Sequence, residues 1–265
     1  EYWETSTPPL HHSNTPLLLC NGEDRRLDLS TELRAAADLA GADFFGAADL
    51  TPAYDAILEQ GGPVVARFPR AVSVGVVLPH AIVDDLPSGD WAVATAYRRA
   101  YDTLNMRLDI IASHLGGIIQ RKGYDAFPVP ASGPAGLRSL QGVFSHKLAA
   151  HLAGLGWIGR SCMLITPEAG PRVRWVTVLT DVPLEPTGAP LGERCGSCTE
   201  CVDACPPRAF TGEPFRPDEP REARFDASKC AKHLKSVEQS TGLRVCGLCI
   251  SACPHGKKRR RGLSG

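Results

Sequence analysis

Ten cysteines are present in the chain, and eight of them fall in or beside two runs toward its C-terminal end. Cys195, Cys198, Cys201 and Cys205, followed by Pro206, give C-x2-C-x2-C-x3-C-P. Cys246, Cys249 and Cys253, followed by Pro254, give C-x2-C-x3-C-P, and Cys230 stands upstream as the fourth thiol. Such short intervals let one loop present three thiolates to one face of an iron–sulfur cubane. The last cysteine of each run, turned away by its proline, reaches the other cluster. The expected chemistry is electron transfer through two [4Fe–4S] clusters. One takes Cys195, Cys198, Cys201 and Cys253, and the other takes Cys205, Cys230, Cys246 and Cys249. Zinc favours paired C-x2-C units without the third cysteine and the C-x3-C-P ending. A secreted disulfide framework is rare at 265 residues. Oxygen-sensitive clusters and unpaired thiols predict a cytoplasmic, reducing setting.

The remaining sequence must position these thiols. Apolar residues make up 43 % of the chain and the formal net charge is zero. No global field therefore draws the protein onto nucleic acid or an anionic membrane, and no stretch approaches the ~20 apolar residues of a membrane span. Residues 1–23, rich in Pro, Ser, Thr and His, read as a flexible leader. Within it, Leu17-Leu18-Leu19-Cys20 lacks the cationic and apolar segments of a lipoprotein signal. Ser30 is a candidate N-cap for a helix through Leu33 and Ala37 that Gly41 ends. Val72 to Leu78 reads as a buried strand. Apolar residues at three- and four-residue spacing predict a long helix from about Val93 to Ile119. A strand over Ala126–Val129, a loop over 130–142 and a helix over Phe144–Ala153 follow. Met163–Thr166 and Val173–Asp181 read as a hairpin. Residues 183–194 form a Pro/Gly linker, 195–256 the cluster domain with a surface loop at 211–229, and 257–265 a basic tail.

Between the third helix and the expected hairpin lies His146-Lys147-Leu148-Ala149-Ala150-His151-Leu152-Ala153-Gly154-Leu155-Gly156-Trp157-Ile158-Gly159-Arg160. Its glycines allow close backbone approach and positive φ at three places, which suits a large planar or phosphate-bearing cofactor; a helix cap and tight turn onto a strand is the other reading. The order A-G-L-G-W-I-G-R, then Leu179-Thr180-Asp181-Val182-Pro183-Leu184, then C-G-S-C-T-x-C-V-D-A-C-P resembles epoxyqueuosine reductase, a family that makes the tRNA base queuosine and is related to reductive dehalogenases. The resemblance is dense over residues 140–256 and thinner over 40–130.

The resemblance implies an α+β architecture: a nitroreductase-like α/β domain (residues 24–182) that binds cobalamin, followed by a ferredoxin-like double [4Fe–4S] domain. Gly154, Gly156, Trp157 and Gly159 would then line the cofactor, with Lys147 and Arg160 pairing to its amide or phosphate oxygens; FMN is the alternative occupant. The sequence also departs from the family. The acid of a V-D-T-G-P stretch falls on Leu140, and no Asp or Glu occurs from Ala126 to Arg160. The family's Tyr-His pair falls on Ala100 and Tyr101, and its tRNA-holding helical repeats have no counterpart after the second cysteine run. His146 and Tyr101 are therefore the candidate proton donors. The expected function is a reduction on cobalamin fed by two clusters, with a ferredoxin- or flavodoxin-type donor and a small-molecule substrate rather than tRNA. A rival is an activator protein that reduces the corrinoid of a partner protein.

Overall fold

The computed structural model describes residues 22–132 and 140–257, with side chains from Leu29 onward. Its elements in chain order are α1 (Gly22–Leu39), β1 (Phe44–Asp49), α2 (Tyr54–Gly61), α3 (Pro63–Ala66), β2 (Arg70–Val77), α4 (His80–Asp85), α5 (Trp91–Arg121), β3 (Ala126–Val129) and α6 (His146–Leu152). Then come β4 (Trp157–Ile158), β5 (Leu164–Ile165), β6 (Val173–Thr180), α7 (Glu200–Asp203), α8 (Ala227–Thr241) and α9 (Leu248–Ala252).

The frame is a mixed α/β sandwich around an antiparallel sheet of order β1-β2-β6-β3. β2 and β6 are central and buried on both faces, so their sequences are nearly continuous apolar runs rather than alternations. Val72, Val74, Val76, Val176 and Val178 face α1 and α5 through Leu33, Ala37, Leu108 and Ile111. Ala71 and Leu179 face the opposite layer, where Ile57, Val65 and Ala149 of α2, α3 and α6 pack. α5 starts because Asp90 Oδ1 accepts the N–H of Ala92 at 2.7 Å. Its buried positions Leu108, Ile111, Ala112, Leu115 and Ile119 then hold one face on the sheet.

The cysteine-rich segment packs on this frame. Ile250 of α9 is buried with Leu78, Val83, Leu86 and Tyr97, and Cys253 is buried with Trp157 and Ile165. Within residues 183–194, Leu184 is buried, and Thr187 donates its N–H to Ala47 O at 3.0 Å and its hydroxyl to Ala153 O at 3.1 Å. The 211–229 segment is likewise anchored. Arg160 donates to the Gly212 carbonyl, and the Phe215 ring stands 5.7 Å from the His151 ring.

Other expectations are corrected. α1 begins at Gly22, well before Ser30, so only residues 1–21 of the expected leader lie outside the described residues. Of the basic tail only Lys257 is described, 3.7 Å from Glu200. The segment at Met163–Thr166 does not form a hairpin with β6; Leu164–Ile165 pairs with Trp157–Ile158, while β6 joins the main sheet. β1 carries Phe44-Phe45-Gly46-Ala47-Ala48-Asp49, too small and unpatterned to announce a strand.

Candidate redox and cofactor site

Cys195, Cys198, Cys201 and Cys253 surround one cavity of about 20 Å³, with Gly159, Arg160 and Ser161 on its wall. The loop before α7 brings the first two thiols, α7 the third, and the end of α9 the fourth. Cys205, Cys230, Cys246 and Cys249 line a second cavity of about 380 Å³. Cys205 follows α7, Cys230 lies on the first turn of α8, and Cys249 lies on α9. Asp226 fixes the start of α8 by accepting the Lys229 N–H at 3.0 Å. The structure thus brings the cysteines together in two sets of four, with the last thiol of each run facing the other run.

Among the described residues no three His, Cys, Asp or Glu side chains converge as a single metal ion would need; the cysteines ring cavities instead. Burial, reinforced by neighbouring thiols, pushes Cys249 up to about 12; it pushes Cys253 up to about 11, against a partly offsetting His255 N–H. Burial also raises Cys195, Cys201, Cys230 and Cys246. Bare thiols held this way would not ionise at neutral pH. A cationic iron core is the kind of partner that reverses that preference, so the donor set fits iron–sulfur ligation.

The second cavity is shared with the α/β layer. Tyr97, Arg98, Tyr101 and Asp102 of α5 and Ser132 line it beside the four cysteines. A wider groove of about 780 Å³ along α5 has Asp102 and Ser132 in common with it. Sequence reasoning missed Arg174. Its guanidinium lies 4.2 Å from the Tyr101 ring centroid, and its Nε donates to Asn105 Oδ1 at 3.0 Å. An arginine inside an otherwise apolar buried strand was the available signal. Tyr97 is buried too, and desolvation pushes its phenol up.

His146 is placed differently from Tyr101. Its Nδ1 lies 2.9 Å from Thr177 Oγ1 and its Nε2 2.9 Å from the Pro130 carbonyl. That carbonyl can only accept, so Nε2 carries the proton and Nδ1 accepts from the threonine. Burial pulls His146 down to about 4. Both ring nitrogens are occupied and the ring is neutral at pH 7, which is a fastening role between α6, β6 and the β3 exit.

The glycine-rich turn also departs from expectation. Only Gly154 has positive φ, at +77°, and a Cβ there would meet Ala189 O at 2.9 Å; Gly156 and Gly159 do not adopt it. A Cβ on Gly156 would lie 2.3 Å from Ile165 O, and one on Gly159 would lie 3.3 Å from Cys195 Sγ. Trp157 is buried with Ile165 and Cys253. Arg160 donates to the carbonyls of Gly212 and Gly196, the latter at 2.6 Å, and Lys147 donates to the Cys162 carbonyl. The turn therefore packs against its own hairpin and the first set of cysteines, and none of its residues lines the second cavity.

A model of the 4Fe-4S double cluster binding domain matches residues 194–256. Epoxyqueuosine reductase from Listeria monocytogenes is 43 % identical over 126 residues, covering 44 % of this chain and 31 % of that protein. Tetrachloroethene reductive dehalogenase from Sulfurospirillum multivorans is 27 % identical over 294 residues, covering 92 % of this chain and 55 % of that protein. The chain thus spans well under two thirds of these relatives. A solved reductive dehalogenase described with B12-dependent dehalogenation superposes with a TM-score of 0.65 at 23 % identity, over 86 % of this chain and 31 % of that one. A solved epoxyqueuosine reductase gives 0.56 at 22 % identity, over 87 % and 66 %. The double-cluster segment and both sets of likenesses make the chain similar to the epoxyqueuosine reductases and, in fold, to the reductive dehalogenases.

Proposed function

We propose that this chain is the electron-delivering and cofactor-holding part of a corrinoid-dependent reductase acting on a small organic molecule. Residues 24–182 are read as a nitroreductase-like domain, 195–256 as a ferredoxin-like domain, and 183–194 as the strap between them. The two sets of four cysteines hold the [4Fe–4S] clusters. Cobalamin is assigned to the space beside Tyr101, where the groove along α5 adjoins the second cavity. When bound, the clusters supply single electrons and the corrinoid supplies the reducing metal.

One observation carries the reading: a single cavity has both the second set of cysteines and Tyr101 in its wall. Electron delivery and proton delivery then meet in one chamber. Tyr101 holds the proton at its hydroxyl. Arg174, stacked on the ring and tied to Asn105, fixes the ring plane and offsets the charge left on it when the proton departs. Exposed residues Glu193, Arg194, Ser197 and Glu200 surround the loop of the first set of cysteines, which gives an external ferredoxin- or flavodoxin-type donor access to that end. Leu140, where the family's acid would fall, is 51 % exposed, and an aliphatic side chain has no proton to give. This favours a substrate other than epoxyqueuosine in tRNA.

The test is reductive turnover of halogenated phenols by cobalamin-loaded protein under a low-potential reductant. Tyr101→Phe should lower turnover by roughly 10²–10⁴-fold while iron and cobalamin contents stay unchanged, as for loss of a general acid. Unchanged turnover would remove Tyr101 from the chemistry. If the protein binds no cobalamin yet reduces a partner's corrinoid, the activator reading takes its place.

A further inference from the structure

We propose that the Trp157 indole N–H donates a hydrogen bond to the sulfur shell of the cluster on Cys195, Cys198, Cys201 and Cys253, and holds that cluster's reduction potential up. The inference rests on reading those cysteines as ligands. Trp157 is 2 % exposed, and its Nε1 is buried without a hydrogen-bond partner in the protein. A buried orphan donor is costly, and native structures avoid it unless a ligand group satisfies it. The ring is held in place: His255 stands edge-on to it at 4.9 Å, and the Arg194 guanidinium lies 5.6 Å from its centroid. Its neighbours are Ile165 and Cys253, with Cys195 packed against the same group. Cys195 packs beside the indole yet leaves its N–H outside hydrogen-bond geometry, so the donor points at the space where the cluster's sulfurs would lie.

The rest of the turn serves the same surface. The backbone N–H of Arg160 faces Cys195, and the hydroxyl of Ser161, a residue only 3 % exposed, faces Cys201. Gly159 lets the chain come this close, since a Cβ there would stand 2.8 Å from Ile165 Cγ1 and 3.3 Å from Cys195 Sγ. Donors to cluster sulfurs stabilise the reduced form, so hydrogen bonding helps to set the potential. The second set of cysteines has main-chain donors: Ala209 N–H reaches Cys205 Sγ at 3.3 Å, and the N–H groups of Gly247 and Leu248 face Cys246. The segment that looks like a cofactor loop is, on this reading, a tuning cradle for one cluster of the two.

The experiment is an anaerobic potentiometric titration followed by electron paramagnetic resonance, on reconstituted wild-type protein and Trp157→Phe. With iron content equal in both, one cluster signal should titrate lower in the variant. The shift expected is about tenfold in the reduction equilibrium, or about 59 mV for one electron, with the other signal fixed. Equal shifts in both signals, or none, overturn the proposal. In case Trp157→Phe loses iron, wild-type protein labelled with indole-¹⁵N tryptophan decides independently. Hyperfine coupling of the label to one reduced cluster is expected, and its absence overturns the proposal. Wild-type protein that takes up no clusters at all would instead refute the ligand reading.

Discussion

Replacing Gly156 by alanine discriminates between two readings of the glycine-rich turn. The added Cβ would lie 2.3 Å from Ile165 O and 2.9 Å from Ile165 C, against optimal contacts nearer ~3.5 Å. β4 and β5 would have to part by about 1 Å. Their ladder has only the pairs Trp157↔Ile165 and Ile158↔Leu164, so it cannot spread the displacement. Overpacking of this kind costs about 1–3 kcal/mol, which at about 2–4 °C per kcal/mol for a chain of this size is a fall in Tm of roughly 2–12 °C. Ile165 and Trp157 pack with Cys253 and Cys195, so the first cluster should be lost before the second. Iron measured after desalting should fall from about eight toward about four atoms per chain. Gly192→Ala is the control, because a Cβ there meets nothing within 4 Å, and it should match wild type. If Gly156→Ala keeps its iron and its Tm but no longer retains cobalamin, the packing argument is refuted and the turn is a cofactor cradle.

Three further outcomes are expected. Cys230→Ser should lose iron from the second cluster and spare the first, although Cys230 lies outside both runs; unchanged iron and unchanged reduction would mean another ligand. His146 is lowered from 6.5 to about 4, so the unfolded chain takes up its proton while the folded chain still excludes it. Stability from this group is complete above pH 6.5 and is lost as pH falls toward 4. Between pH 7.5 and 5.5 denaturant unfolding should show a loss of about 1 kcal/mol that His146→Gln removes; an identical slope in the variant would assign the pH dependence elsewhere. Finally, the chain should not restore queuosine to tRNA in a strain lacking epoxyqueuosine reductase, because Leu140 supplies no acid; restored queuosine would show that a different group protonates the substrate.

Parts of this molecule were legible in its sequence because the physics behind them is local. A cubane needs thiols at short intervals, so both sets of cysteines could be written down from spacing, with Cys230, upstream of the second run, as its fourth ligand. α5 announces itself because thirty-one residues of three-and-four periodicity admit little else. The illegible parts depend on partners far away in the chain. Gly156 and Gly159 look conformationally permissive, yet what they accommodate is Ile165 and Cys195, and nothing local reveals that. Leu164–Ile165 looks like half of a hairpin with β6 because adjacent strands usually pair; its actual partner is fixed by two rungs to Trp157–Ile158. Arg174 has no assigned role in the sequence, because its partner comes from α5, where Tyr101 meets its guanidinium. His146 has the right chemistry for a proton donor, and only its bonds to Thr177 and Pro130 remove its availability.

Two clusters and one corrinoid are assigned to this single chain. Elemental analysis of protein assembled anaerobically with iron, sulfide and cobalamin, then desalted, tests this assignment most directly. About eight iron atoms and about one cobalt per chain are expected; four irons, bound zinc, or iron without cobalt would contradict that assignment.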